Sequence, residues 1–298
     1  MIRLLTAVAL ALTLLPAPAG ALSVTDQTGR RIVLSAPPAR IISLVPSVTE
    51  ILFSIGAQDR LVGVTDFCDY PPAARRKPRV GSMLAPSLEG MVSLKPDLVV
   101  ATTAGNRHET FEQLERLKIP VYVVNPITVA DVLDLLTRLG RLTDRADAAD
   151  RAVAALRERI QAVADRVDGR PRPRVLYVLW PDPLIVPGRA SLVSELITLA
   201  GGDSVTADGG QGYPRYSLEA ALARNPEVII LASHGSEKSP LTRDKWERLG
   251  QVPAIAAGRL HAIDGNLTHR YGPRIVDGLE RLARLIHPEA FDRAATTR

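Results

Sequence analysis

Aromatic side chains supply only 4% of this 298-residue chain, and there is a single cysteine, Cys68. One thiol cannot close an internal disulfide, so the fold must rest on an apolar core, which a chain of this length can build. Few aromatics and scattered charge also argue against nucleic acid, whose footprint is a clustered basic face with stacking rings. The formal charge is only +5, from 37 basic and 32 acidic residues, and the basic residues form no block beyond Arg75-Arg76-Lys77. Past the first residues no apolar run is long enough to cross a bilayer. Catalytic signatures are missing too. There is no Gly-x-Ser-x-Gly elbow, no glycine-rich phosphate loop ending in Lys-Ser/Thr, and no His-Glu-x-x-His. Gly201-Gly202 follows a helical pattern and reads as a cap. No catalytic residue is assigned, and an exported enzyme survives as a rival that turnover without a membrane partner would reveal.

Residues 1–21 read as a cleavable signal peptide. Arg3 gives the positive start, residues 4–15 the apolar stretch, and Ala19-Gly20-Ala21 the small-residue cleavage site. Twelve apolar residues are too few for about 30 Å of hydrocarbon, and Pro16 and Pro18 follow at once. No cysteine stands at the cleavage site, so no lipid anchor is expected. The expectation is a soluble, unanchored protein of the bacterial periplasm.

What the chain does contain is a repeat. Ser87-Leu88-Glu89 is followed by six residues, then Pro96-Asp97 and the aliphatic run Leu98-Val99-Val100. The same plan returns 130 residues later as Ser217-Leu218-Glu219, Pro226-Glu227 and Val228-Ile229-Ile230. In each copy the serine hydroxyl can cap a short helix. The proline closes it by disfavouring the helical region for the residue before it, and the aliphatic run reads as a buried strand. A second echo keeps the same order: residues 50–56 (EILFSIG) parallel 195–201 (ELITLAG). Two copies this far apart imply two similar lobes, and a cleft between lobes is where small ligands bind.

Residues 144–167 differ from both copies. They contain no glycine or proline, and Ala149, Val153, Leu156, Ile160, Val163 and Val167 fall on one helical face. At 1.5 Å per residue the run spans about 36 Å, and clear e/g charge pairing for a coiled-coil arm is lacking. Elsewhere strands alternate with helices. Ser47 is expected to cap a helix through Ile55, Ser191 a helix over 191–200, and Pro273 to open the last helix. The fold class is therefore α/β, with two Rossmann-like lobes of mainly parallel sheet joined by one long rigid helix. Residues 22–143 form the first lobe, 144–168 the connecting helix and 169–298 the second lobe.

In such a molecule the ligand meets the loops at the C-terminal ends of strands. In lobe one these loops carry Pro46, Ser47, Phe67, Tyr70, Met83 and Asn106. In lobe two they carry Trp180, Tyr213, His234, His269, Arg270 and Tyr271. Aromatics are scarce here, so their clustering in loops suits a flat ligand with polar edges, although Tyr70 and Trp180, each near a proline, read equally as lobe core. His269 or Tyr271 could ligate a porphyrin iron or a corrin cobalt, and Arg270 could fork onto a carboxylate or phosphate; a solvated loop before a helix explains the same three residues. His261 lies in a strand pattern and His287 at a helix end, both structural. A bare zinc or manganese site would need three or four converging ligands, and no spacing among His108, His234 and His269 shows one. Cys68 reads more readily as a buried thiol than as a metal ligand.

Four segments carry a family resemblance: residues 41–50 (IISLVPSVTE), residues 63–72 (GVTDFCDYPP), both Ser-Leu-Glu units, and residues 272–280 (GPRIVDGLE). In order and spacing they resemble the helical-backbone class of periplasmic solute-binding proteins, which deliver cobalamin, haem, ferric siderophores or metal ions to ABC importers. Residues 63–72 are most similar to the vitamin B12 receptors. The chain departs from those receptors at Met83 and Thr102, where they place tryptophan. The resemblance implies a monomeric receptor with no catalytic cofactor. Its ligand would be cobalamin or a related corrinoid, with haem or a ferric siderophore as the alternative. Its partners would be an inner-membrane permease and its ATPase subunits. It also implies that Glu89 and Glu219, one on each lobe, dock against arginines of the permease. Both sit in a first helical turn, where the helix dipole alone would favour an acid.

Overall fold

The aliphatic runs that follow the two Pro-acid pairs become the third strands of two matching sheets. Lobe one opens with an antiparallel hairpin, β1 (Leu22–Thr25) and β2 (Arg31–Leu34). Its main sheet holds β3 (Ile41–Ser43), β4 (Leu61–Val64), β5 (Leu98–Thr102) and β6 (Val121–Val124), in the order β4-β3-β5-β6. Lobe two holds β7 (Arg174–Val178), β10 (Asp203–Ser204), β11 (Val228–Ser233) and β12 (Leu260–Asp264), in the order β10-β7-β11-β12. Between β7 and β10 lies a small hairpin, β8 (Trp180–Pro181) with β9 (Leu184–Ile185). Counted in chain order, both four-stranded sheets run second, first, third, fourth, and every pairing in them is parallel. The computed structural model describes residues 22–233, 246, 248–249 and 251–291. The expected signal segment 1–21 lies outside them.

The helices of lobe one are α1 (Pro46–Ser54), α2 (Leu88–Ser93), α3 (His108–Arg116) and α4 (Val129–Leu142). Those of lobe two are α6 (Leu192–Leu199), α7 (Leu218–Leu222), α8 (Pro253–Ala256), α9 (Asn266–His269), α10 (Ile275–Ile286) and α11 (Pro288–Phe291). Both repeat serines cap as expected: Ser87 Oγ accepts the Gly90 N–H at 3.0 Å and Ser217 Oγ the Ala220 N–H at 3.2 Å. The helix ends differ from expectation. The residues before the prolines, Lys95 and Asn225, have φ of 46° and 50° and are left-handed rather than extended. Each donates its N–H three residues back, to Val92 and Leu222, so a left-handed cap stops the helix and the proline only follows it. The acids after the prolines also have a shared task. Asp97 accepts the N–H groups of Ala39 and Arg40 at the entry to β3, and Glu227 accepts that of Arg174 at the entry to β7.

α1 starts one residue before Ser47. Pro46 occupies its first turn and Val45 is the N-cap, with no side-chain cap, because a first-turn proline needs no hydroxyl. Ser191 caps α6 as expected, through the Ser194 N–H at 3.2 Å. The last long helix begins at Ile275, two residues after Pro273.

The connecting helix is α5 (Ala146–Val167), which buries Ala149, Val153, Leu156 and Val163. It packs on α4 of lobe one and α10 of lobe two. At the α4 crossing a Cβ on Gly140 would stand 2.3 Å from the Ala149 Cβ, so only glycine allows the two backbones so close. Toward lobe two, Arg159 forks onto Glu280 at 2.9 Å and reaches Asp277 at 2.6 Å. A single apolar cluster runs from Val48 and Leu136 through Val153 and Leu156 to Leu196 and Leu279. The lobes and the rod therefore share one core, in which each fully buried Leu or Val contributes up to about 1.5–3 kcal/mol.

Candidate functional site

Every strand of the lobe-one sheet delivers its C-terminal end to one cavity of about 450 Å³. β3 leads to Pro46 and Ser47, β4 to Phe67, β5 to Thr102 and Ala104, and β6 to Val124, Asn125 and Pro126. Met83 joins them from the loop before α2. Lobe two supplies Tyr213, His269, Arg270 and Tyr271. The cavity is lined mainly by carbon, with a few polar groups at fixed points, as small-ligand sites are. Phe67 is 55% exposed and forms a wall at the mouth rather than part of the lobe core.

The lobe-two wall is a chain of hydrogen bonds. The Tyr213 and Tyr271 hydroxyls lie 2.7 Å apart. Burial raises both phenol pKa values above the ordinary 10.0, and for Tyr213 the neighbouring Tyr271 adds to the effect. His269 sits in the single turn of α9, where a loop was expected. Its Nε2 lies 3.0 Å from the Tyr177 hydroxyl, which also meets Thr268 Oγ1 at 2.7 Å. The Tyr177 phenol is likewise pushed up by burial. Its ring meets that of His269 edge-on at 5.8 Å.

Arg270 is the cation of the cavity, and carboxylates of the opposite lobe face it. Its Nη1 meets Asp69 and lies 3.5 Å from Glu50. Burial alone would raise the Asp69 pKa, but the hydrogen bond and charge of Arg270 outweigh it and hold the carboxyl below 3.8. Glu50 is buried and takes a bidentate contact from Arg274, at 2.9 and 2.7 Å. Burial lowers the Arg274 pKa, but Glu50 more than offsets this and the net shift is upward.

Three sequence candidates stand outside the lining. Tyr70 lies flat under Arg274, with the guanidinium carbon 4.0 Å from its ring centre, a cation–π contact between lobes. Asn106 is buried and works from beneath the wall. It accepts the Thr102 N–H at 2.8 Å and donates to the Met83 carbonyl at 2.8 Å, tying two lining loops together. Trp180 sits in the β8–β9 hairpin and donates to the Asp182 carbonyl at 2.9 Å. His234 lies outside the described residues. Cys68 is buried in lobe one, 3.1 Å from Thr49 Oγ1 and 3.2 Å from Thr65 Oγ1, and does not line the cavity. His287 is buried, with Nε2 3.1 Å from the Gly201 carbonyl. Glu89 and Glu219 are exposed, each the second residue of its repeat helix. Sequence reasoning misses the β6 loop at 124–126, where Asn125 stands alone between Val124 and Pro126, and Tyr177, which sits inside a strand run.

The chain and its fold have counterparts among known proteins. The family described as periplasmic binding protein matches residues 41–267, most of the chain. The vitamin B12-binding protein of Salmonella typhimurium is 31% identical over 247 residues, covering 83% of this chain and 90% of that one. The crystal structure of the periplasmic vitamin B12-binding protein of Vibrio cholerae superposes with a TM-score of 0.75 at 28% identity, covering 86% of this chain and 99% of that one. A periplasmic haem-binding protein from Roseiflexus sp. RS-1 matches with the same TM-score and identity, covering 84% of this chain and 98% of that one. With its paired sheets, connecting helix and interlobe cavity, the chain belongs to the periplasmic binding protein family of ABC importers.

Proposed function

We propose that this protein captures cobalamin or a related corrinoid in the interlobe cavity and hands it to an inner-membrane permease with its ATPase subunits. The observation that carries the choice of ligand is the state of the two candidate metal ligands. His269 Nε2 is hydrogen bonded to Tyr177, and the Tyr271 hydroxyl to Tyr213. Coordination through His269 Nε2 or through the Tyr271 oxygen would break these contacts, and a phenolate would have to form against a raised pKa. The site thus favours a chelate whose metal already carries its axial ligands and which is held by its faces and edges. Phe67, Met83 and Pro46 offer apolar contact to a ring, while Ser47, Arg270 and the tyrosine pair offer hydrogen bonds to amide or phosphate edges. The names of the relatives support the same ligand class.

A second reading, haem or a ferric siderophore, rests on the same phenols. Two hard oxygen donors 2.7 Å apart in a cavity wall suit ferric iron if one loses its proton. On either reading the protein binds without turnover, and residues 1–21 direct it to the periplasm and are removed. Glu89 and Glu219 engage the permease.

A visible absorption titration with cyanocobalamin and with haemin, checked by calorimetry, tests this. Saturable one-to-one binding of cyanocobalamin is expected. A sharpened Soret band with haemin and no response to cobalamin would select the second reading. Multiple turnover of either compound would remove the receptor reading altogether.

A further inference from the structure

The second sequence echo pairs Glu50 with Glu195, and the structure gives both the same place in opposite lobes. Glu50 lies on α1 and Glu195 on α6, the helices that follow the first strands of the two main sheets. Each reaches across the lobe boundary to the start of the other lobe's last long sheet-covering helix. Glu50 takes the fork of Arg274, the N-cap of α10. Glu195 accepts the N–H of Val129, the first residue of α4, at 2.9 Å. The internal duplication has thus placed two carboxylate clamps, one on each side of the cleft.

The clamps are unequal. Glu50 is buried, and on its side Arg270 bridges to Asp69 while Tyr70 stacks on Arg274. Paired charges with bidentate geometry make strong, directional contacts. Among the described residues, the Glu195 carboxylate accepts one hydrogen bond, from the uncharged N–H of Val129. Burial and the nearby Asp131 raise the Glu195 pKa, and the bond from Val129 only partly offsets them. Beside it, between Ile127 and Thr128 of one lobe and Ser191, Ser194 and Thr198 of the other, lies an open cavity of about 300 Å³. On the Glu50 side, Arg270 and Arg274 both stand against the carboxylate and Tyr70 lies under Arg274.

We propose that Glu50 and Glu195 are interlobe positioning residues of unequal strength, and that the lobes hinge about the Glu50–Arg274 contact and open at the Glu195–Val129 seam. The wall at Asn125 and Pro126, which leads into Val129, then moves relative to lobe two, while the wall at Arg270 stays fixed. This concerns the lobes themselves and stands whichever chelate fills the cavity.

Pulsed electron–electron resonance on spin-labelled protein tests it, in a Cys68→Ser background. One label pair, Ala130→Cys with Thr198→Cys, spans the Glu195 seam; a second, Ser54→Cys with Arg281→Cys, spans the other side. All four positions are exposed. The distance distribution should be broader for the first pair than for the second. Glu195→Ala should lengthen and broaden the first distribution and leave the second unchanged. Glu195→Gln keeps an oxygen that can accept from Val129 and should restore the original distribution. Equal widths on the two sides, an effect of Glu195→Ala on the second pair or on neither, or a Glu195→Gln protein that behaves like Glu195→Ala would overturn the proposal. Should Glu195→Ala fail to fold, the comparison of widths in the unsubstituted protein still decides.

Discussion

Arg270 stands in the cavity wall with its charge already met from across the cleft, and this sets how Asp69 titrates. Its carboxyl is desolvated and so would titrate above 3.8, yet the bond to Arg270 holds it below that value. An acid whose folded pKa is depressed contributes stability above its unfolded pKa, and loses it as pH falls through the lower folded value. Arg270→Gln removes the charge but not the burial. The Asp69 carboxyl resonance, followed by NMR, should therefore titrate below 3.8 in the parent protein and move upward in the variant; an unmoved midpoint would show that Arg75 or the backbone, not Arg270, depresses it. Single residues were legible in the sequence where chemistry and loop position coincided. Phe67, Met83, Tyr213, His269, Arg270 and Tyr271 all reach the cavity. Asn106 lies in the right region but works one layer behind the wall, and Tyr70 stands exposed beside it under Arg274, because sequence locates a loop and not the direction of its side chains. The partners of Glu50 could not be read at all. Arg274 is more than 200 positions away, and only packing of the two lobes brings them together.

Elements were most legible where a local rule fixed them. The repeat serines cap their helices as their hydroxyls require, and the rod follows its single apolar face, starting at Ala146 rather than 144. Where two signals gave the same outcome the reading slipped: Pro46 opens α1 without help from Ser47, and left-handed Lys95 and Asn225 end helices credited to the prolines. The four-residue α9 is too short to show a period. The crossing of α4 and α5 rests on the close approach at Gly140. Gly140→Val would force a branched side chain into the space of Ala149 and should cost about 1–3 kcal/mol by overpacking. Urea unfolding checks this: the midpoint should fall with little change in slope. An unchanged midpoint would mean that the helices part at no cost, and that the rod is less firmly seated on lobe one than its packing indicates.

At the scale of the whole molecule, duplication explains what the repeat alone could not. Both sheets have the order second, first, third, fourth, so the two Ser-Leu-Glu helices occupy equivalent places, one in each lobe. The sequence showed the copies and their order; strand order and the shared core follow from packing and were not visible in it. Glu89 and Glu219 are both exposed, and neither lines the cavity. A residue that serves only the helix dipole would contribute about 0.3–1 kcal/mol to stability and nothing to transport. A residue that docks the permease should act on transport alone. Glu89→Ala and Glu219→Ala, assayed for ligand affinity by calorimetry and for uptake with the reconstituted importer, separate these roles. Affinity should stay within about twofold, a difference of only ~0.4 kcal/mol, while each single substitution lowers uptake and the double substitution lowers it further. Normal uptake by the double variant would leave the helix dipole as the whole reason for both acids. A fall in affinity would move them from the docking face into the cleft, where the present geometry does not place them.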